Sequence, residues 1–121
     1  MRKKYYIAGQ ITGRSASEVW HQFYSMETRL QRIGRDAYNP IHLPKGLDWG
    51  TYMQIAVAVL CSGQIDGIIM LDGWQKSKGA QIERLVAKGL GIPVYFESAA
   101  NQAAEDLLSG KKTDKGDEDD E

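Results

Sequence analysis

The stretch Gly67-Ile68-Ile69-Met70-Leu71 is apolar after its first residue and stops at Asp72-Gly73. A strand with one wet face alternates apolar and polar residues, whereas a continuous apolar run with β-branched members belongs to a strand covered on both faces. Cover on both faces comes from helices that cross over between parallel strands, and such crossovers are right-handed. This one segment therefore directs the chain toward an α/β architecture.

The remaining elements fit that frame. Tyr5-Tyr6-Ile7-Ala8, stopped by Gly9, is a second buried strand; Asp36-Ala37-Tyr38-Asn39, ended by Pro40, is a weaker one; Val94-Tyr95-Phe96, introduced by Gly91 and Pro93, is another. Ser15-Ala16-Ser17-Glu18 has the form of a capping box, and Val19, Phe23, Met26, Leu30 and Ile33 then mark one helical face closed by Gly34. Asp48 is placed to cap a helix on which Tyr52, Ile55, Ala56, Val59 and Leu60 share a face, with Gly63 at its end. Ser77 to Lys88 reads as a third helix with Ile82, Leu85, Val86 and Leu90 toward the core, and Ser98 is placed to cap a last one through Leu108. The expectation is a single flavodoxin-like domain over residues 1–109, a parallel sheet of four to five strands flanked by helices, with the first strand near the centre. Residues 110–121, which close on the acidic run Asp117–Glu121, have almost nothing to bury and are expected to be a disordered tail.

Charge and cysteine content narrow the partners. A formal net charge of −1, from 15 basic and 16 acidic residues, offers no electrostatic case for duplex nucleic acid. Cys61 is the only cysteine, so no intrachain disulfide can form, and a cytoplasmic protein is expected. Its apolar helical setting predicts a small buried side chain. The N-terminal apolar stretch is too short for a signal peptide and no segment suits a membrane span, so no membrane partner is expected.

In open parallel sheets ligands bind outside the carboxyl ends of the strands. The loops there are Gly9–Arg14, Asn39–Pro44 and Asp72–Gly79. The first has glycine at both ends, Gly9 and Gly13, which lets backbone approach a ligand or simply makes a tight turn; no Gly-Lys-Ser/Thr follows, so it is not a P-loop. Trp74 either plugs the end of the sheet or stacks on a planar ligand. His42, between Pro40 and Pro44, reads as structural. Glu83 is the most informative residue. A helical glutamate usually pairs with a base three or four positions away, but here those positions are Gly79, Ala80, Val86 and Ala87. Glu83 is thus a functional carboxylate or one that complements the helix dipole, and its replacement by alanine is expected to cost less than about 1 kcal/mol.

Taken together, Tyr6-Ile7-Ala8-Gly9-Gln10-Ile11-Thr12-Gly13, Asn39-Pro40 and Leu71-Asp72-Gly73-Trp74-Gln75-Lys76-Ser77-Lys78-Gly79-Ala80-Gln81-Ile82-Glu83 resemble the nucleoside 2-deoxyribosyltransferase-like superfamily, in its small DUF4406-type branch. The resemblance runs from Tyr5 to about Phe96, and Gly73 to Glu83 is its specific part. It implies cleavage or transfer at the N-glycosidic bond of a nucleoside or 5′-nucleotide, as a transferase or hydrolase, with Glu83 forming a covalent glycosyl intermediate. It places Gly9, Gln10, Ile11, Gly13, Asn39, Gly73, Trp74, Ser77 and Gly79 around the substrate, and it implies a homo-oligomer, no metal and no cofactor. The pattern departs in one place. Relatives carry an aspartate on the helix before the third strand, where this chain has Ala56 or Ala58 and no acid between Met53 and Ile65. Asp72 is then the candidate second carboxylate. Without one, a non-catalytic nucleotide-binding module that sequesters or senses its ligand is the alternative, and a scaffold with a vestigial pocket a third.

Overall fold

A computed structural model of the chain describes residues 2–97. Strands β1 (Lys4–Ala8), β2 (Asp36–Tyr38), β3 (Gly67–Met70) and β4 (Val94–Phe96) alternate with helices α1 (Ala16–Arg32), α2 (Trp49–Leu60) and α3 (Lys78–Gly89), and two short 3₁₀ turns, Pro40–His42 and Trp74–Lys76, precede α2 and α3. All pairings are parallel and the strand order is β2-β1-β3-β4, an arrangement consistent with a flavodoxin-like domain. Tyr5 aligns with Ala37 on one side and with Gly67 on the other, so β1 is the strand from which the chain departs in both directions. The predicted helix from Ser98 and the acidic tail lie outside the described residues. Among the described residues no helix is long and apolar enough to cross a membrane.

Alternation along β1 divides the core. Tyr5 and Ile7 face α1, where Val19, Phe23, Met26 and Leu30 cover them. Tyr6 and Ala8 face the opposite way, onto Ala56 and Leu60 of α2 and Ala80 and Ala87 of α3. Every residue of β3 is buried, as its unbroken apolar run requires. The helix starts follow the predicted caps: Ser15 Oγ accepts from the Glu18 N–H at 3.2 Å, Asp48 Oδ1 from Thr51 at 2.8 Å and Ser77 Oγ from Ala80 at 3.1 Å.

Two sequence expectations are corrected. In α3 the buried stripe is Gly79, Ala80, Glu83 and Ala87, while Leu85 is 60% exposed and Leu90 50% exposed. Small residues let this helix lie close on the sheet, which turns the larger side chains outward. Cys61 is exposed rather than buried, because it sits at the α2 C-terminus one position past Leu60, which takes the core place.

Gly9, directly after β1, has a packing role of its own. A Cβ there would stand 3.0 Å from Leu71 Cβ and 3.2 Å from Phe23 Cζ. The neighbours are core atoms with little room to yield. Gly9→Ala is therefore expected to lower stability by roughly 1–3 kcal/mol, read as a fall in the urea midpoint with unchanged m-value.

Candidate active site

Glu83 lies one turn into α3, and the same stripe of small residues that seats the helix carries its carboxyl group inward. The residue is 1% exposed. Gly79, four positions back, admits α2 closely: a Cβ there would meet Met53 Sδ at 3.2 Å. Below the carboxyl group, the hydroxyl of Tyr6 on β1 donates a hydrogen bond to Glu83 Oε2. Tyr38 of β2 stacks on Tyr6 with centroids 5.0 Å apart. Tyr52 of α2 adds a third phenol near the acid and shares a hydrogen bond with Tyr6.

Burial sets the electrostatics. Removal from water raises the Glu83 pKa to about 7, against the opposing pull of the Tyr6 hydrogen bond, which favours the ionised form. Burial first, and then the nearby Glu83 carboxylate, push the Tyr6, Tyr52 and Tyr38 phenols upward, so these groups stay protonated donors. Two opposing effects bear on Glu83→Ala, relief of the burial penalty on the carboxylate and loss of an acceptor in the core. Alanine would leave the buried Tyr6 hydroxyl without its acceptor, at a cost of about 1–3 kcal/mol.

The carboxyl group opens onto a cavity of about 190 Å³ at the carboxyl edge of the sheet. Three segments build its walls: Gly9, Ile11 and Thr12 after β1; Leu47, Trp49 and Tyr52 at the start of α2; and Ser77, Gly79 and Ala80 at the start of α3. Of the residues expected around a substrate, the structure brings Gly9, Ile11, Ser77, Gly79 and Glu83 together here.

The others lie elsewhere. Gln10 is turned into its own loop, where its Nε2 donates to the Thr12 carbonyl at 3.2 Å. Gly13 and Gly73 have φ of 84° and 90°, left-handed values that suit glycine and account for both as turn residues. Asn39 is buried; its Nδ2 donates to the Phe23 carbonyl at 3.2 Å and to Glu27 Oε1 at 2.8 Å, tying β2 to α1. His42 joins the same group through Nε2, 2.9 Å from Glu27 Oε1. Trp74 packs against Phe96 at 6.0 Å with the Arg84 guanidinium 5.3 Å over its ring, so it covers the end of the sheet. Asp72 is exposed and does not line the cavity; its N–H donates to Glu97 Oε1 at 2.8 Å.

Sequence reasoning missed the phenols. Tyr6 and Tyr38 each occupy a strand position, and pairing in register places them side by side on the face that α3 covers. Their spacing along the chain gives no sign of Glu83 beside them.

Fold and cavity define a doubly wound α/β domain with a buried, tyrosine-bonded carboxylic acid at the carboxyl edge of its central strand. The chain belongs to the family described as a domain of unknown function, DUF4406, which matches residues 3–96 and thus spans β1 to β4 and α1 to α3 of the described residues. No curated protein and no solved structure matches the chain.

Proposed function

We propose that the protein cleaves or transfers at the N-glycosidic bond of a nucleoside or 5′-nucleotide, with Glu83 as the nucleophile. The observation that carries this reading is a buried carboxyl group, held by one neutral donor, in the wall of a sugar-sized cavity. Water occupies about 30 Å³ per molecule in the liquid, so the 190 Å³ cavity has the scale of one furanose ring. In the step envisaged, a Glu83 oxygen attacks the anomeric carbon and the carbon–nitrogen bond breaks, its electron pair leaving on the base. A proton reaches that nitrogen, and an ester joins sugar to Glu83. Water or a second base then attacks the same carbon, breaks the ester and restores the carboxylate. Tyr6 positions the nucleophile and favours its ionised form. Tyr52 lines the same cavity with its phenol held protonated, so it can hydrogen-bond the departing base while solvent water supplies the proton that nitrogen takes up. The likeness of Gly73–Glu83 to the nucleoside 2-deoxyribosyltransferase-like superfamily supports the same assignment. Self-association belongs to the proposal too, with the stacked, exposed Trp20 and Tyr24 as a surface for a second copy.

Incubation with a panel of nucleosides and 5′-mononucleotides, followed by chromatography for free base, tests the reading. Intact-mass detection of a sugar ester on Glu83 adds an independent readout. A second reading, a non-catalytic nucleotide-binding module, is favoured by one observation: Glu83 is the only carboxylate among the residues that line the cavity. Binding without base release from any member of the panel would select it.

Tyr6→Phe separates positioning from mere packing. Loss of the hydroxyl removes the bond that lowers the Glu83 pKa, so the rise of activity with pH, centred near 7 in the parent, is expected to move to higher pH. The pH profile of base release checks this. An unmoved profile would show that Tyr6 does not govern the ionisation of Glu83.

A further inference from the structure

Charge is unevenly shared along the chain. Residues 2–97 hold 12 basic and 8 acidic side chains, whereas residues 98–121 hold 3 basic and 8 acidic ones. The positive excess is gathered at one end of the domain. Lys4 opens β1 with Arg2 and Lys3 before it, Arg35 directly precedes β2, and Arg32 and Lys88 occupy the last turns of α1 and α3. All six stand at the amino edge of the sheet, opposite the Glu83 cavity. The acids described at that edge are Asp36 and Asp66, and each already has a partner. Asp36 Oδ1 lies 2.8 Å from Arg2 Nε, and Asp66 Oδ2 accepts the Lys4 N–H at 2.8 Å. At the carboxyl edge, by contrast, Arg14, Lys45, Lys76, Lys78 and Arg84 are interspersed with Glu18, Asp48, Asp72 and Glu97.

Helix ends account for part of this pattern. A cation in a last turn complements the carbonyl end of its helix, which suits Arg32 and Lys88. Arg2, Lys3, Lys4 and Arg35 sit at strand starts, where the net dipole is small. Nor is the edge built like a platform for single-stranded nucleic acid, which adds exposed aromatic rings to its cations. Among the described residues the exposed rings are Trp20 and Tyr24, in the N-terminal half of α1, and Trp49, at the start of α2. The chain itself offers a complement in the acidic run Asp117–Glu121, five carboxylates in five positions. Nineteen residues join that run to Glu97, just past β4. A coil of about 20 residues spans roughly 25 Å root-mean-square. The 17 residues of α1, which run from the carboxyl edge to the amino edge, cover about 25 Å. The linker thus matches the height of the domain, the condition under which a tethered group has its highest effective concentration.

We infer that the acidic run docks on the amino edge of its own domain, its carboxylates against Arg2, Lys3, Lys4 and Arg35 as an electrostatic strap. The contact needs no fixed geometry, only anionic groups held within a screening length of the cations. It neutralises the most cationic edge of the domain and leaves the mouth of the Glu83 cavity, at the other edge, unobstructed. The inference is independent of what that cavity binds.

Carbodiimide coupling, which joins a carboxylate to a lysine amine in direct contact, tests the inference on the full chain when followed by peptide mass mapping. The lysines of residues 2–97 form two sets that control for each other: Lys3, Lys4 and Lys88 at the amino edge, and Lys45, Lys76 and Lys78 at the carboxyl edge. At low salt, coupling of residues 117–121 to Lys3 and Lys4 is expected to exceed coupling to the carboxyl-edge set by about 5-fold or more. The two should approach parity in 1 M salt, where the screening length falls to about 3 Å. Lys3→Glu combined with Arg32→Glu, both at exposed positions, should cut the yield at Lys4 to a small fraction of its parent value. An even spread over the two sets, a preference for the carboxyl-edge lysines, or a yield at Lys4 that survives the double substitution overturns the inference. Coupling found only between chains, in a mixture of isotope-labelled and unlabelled protein, also overturns it, because the occupant would then be the acidic run of a second copy.

Discussion

Glu83→Gln is expected to reduce base release by roughly 10³-fold or more while the protein stays folded and still binds its nucleotide. Glutamine keeps the shape of the side chain and an oxygen to accept from the Tyr6 hydroxyl, so the core around β1 and α3 has no new cavity to absorb. What it lacks is the negative charge and the nucleophilicity that ester formation needs. Single-turnover base release and titration of the same preparation give the two numbers side by side. Loss of turnover with retained affinity is the signature of a group acting in the transition state. Equal rates in parent and variant would sink the nucleophile assignment, whatever the substrate proved to be.

Stability should fall as pH rises from about 4.5 to about 7, by roughly 3 kcal/mol from Glu83 alone. In the unfolded chain the carboxyl group ionises at its ordinary value of 4.5, whereas in the fold burial holds the proton until about 7. Between those values the folded state binds more protons than the unfolded one, so each step upward in pH favours unfolding. Below the interval the carboxyl group is neutral in both states and its contribution is fully present; above it the loss is complete and the curve levels off. Urea unfolding at a series of pH values, in parent and in Glu83→Gln, isolates the effect as the difference between two curves. The variant, with nothing to titrate at position 83, should lack this decline. Parallel curves would mean that the carboxyl group ionises in the fold as it does in water. Any ligand that binds the folded state alone would offset the same decline by mass action.

The sheet was legible from the sequence because β1, β3 and β4 are short, largely apolar and bounded by glycine or proline, while the polar, unburied β2 was marked by Pro40 after it. The unbroken run Ile68–Leu71 required two covered faces, and the structure places helices on both. The helix starts were legible for a similar reason: Ser15, Asp48 and Ser77 cap by local geometry, within three residues of their partners. What local geometry does not carry was misread. Ile82, Leu85 and Leu90 look like a core face by hydrophobicity, yet glycine and alanine at 79, 80 and 87 win the contact with the sheet because small residues allow closer approach. Glu83 stood out by the absence of a local partner; its true partner, Tyr6, lies 77 residues away and meets it only through the fold. Trp74 and Asn39, expected around a ligand, spend their contacts on Phe96, Arg84, Phe23 and Glu27 instead.

The seating of Glu83 on the same stripe as Gly79, Ala80 and Ala87 has an evolutionary corollary. A side chain that shares its helix face with close-packed core positions cannot be moved without moving the core. Enlarging Ala80 or Ala87 would lift α3 from the sheet and carry the carboxyl group away from Tyr6, even though neither alanine reacts with anything. The position of the acid is therefore tied to the packing that lets the chain fold at all. Ile11, Thr12 and Leu47, which line the same cavity as Glu83, stand outside the strands and helices and so are not bound by that stripe. Substitutions there can reshape the cavity mouth while the carboxyl group beneath stays where the core puts it.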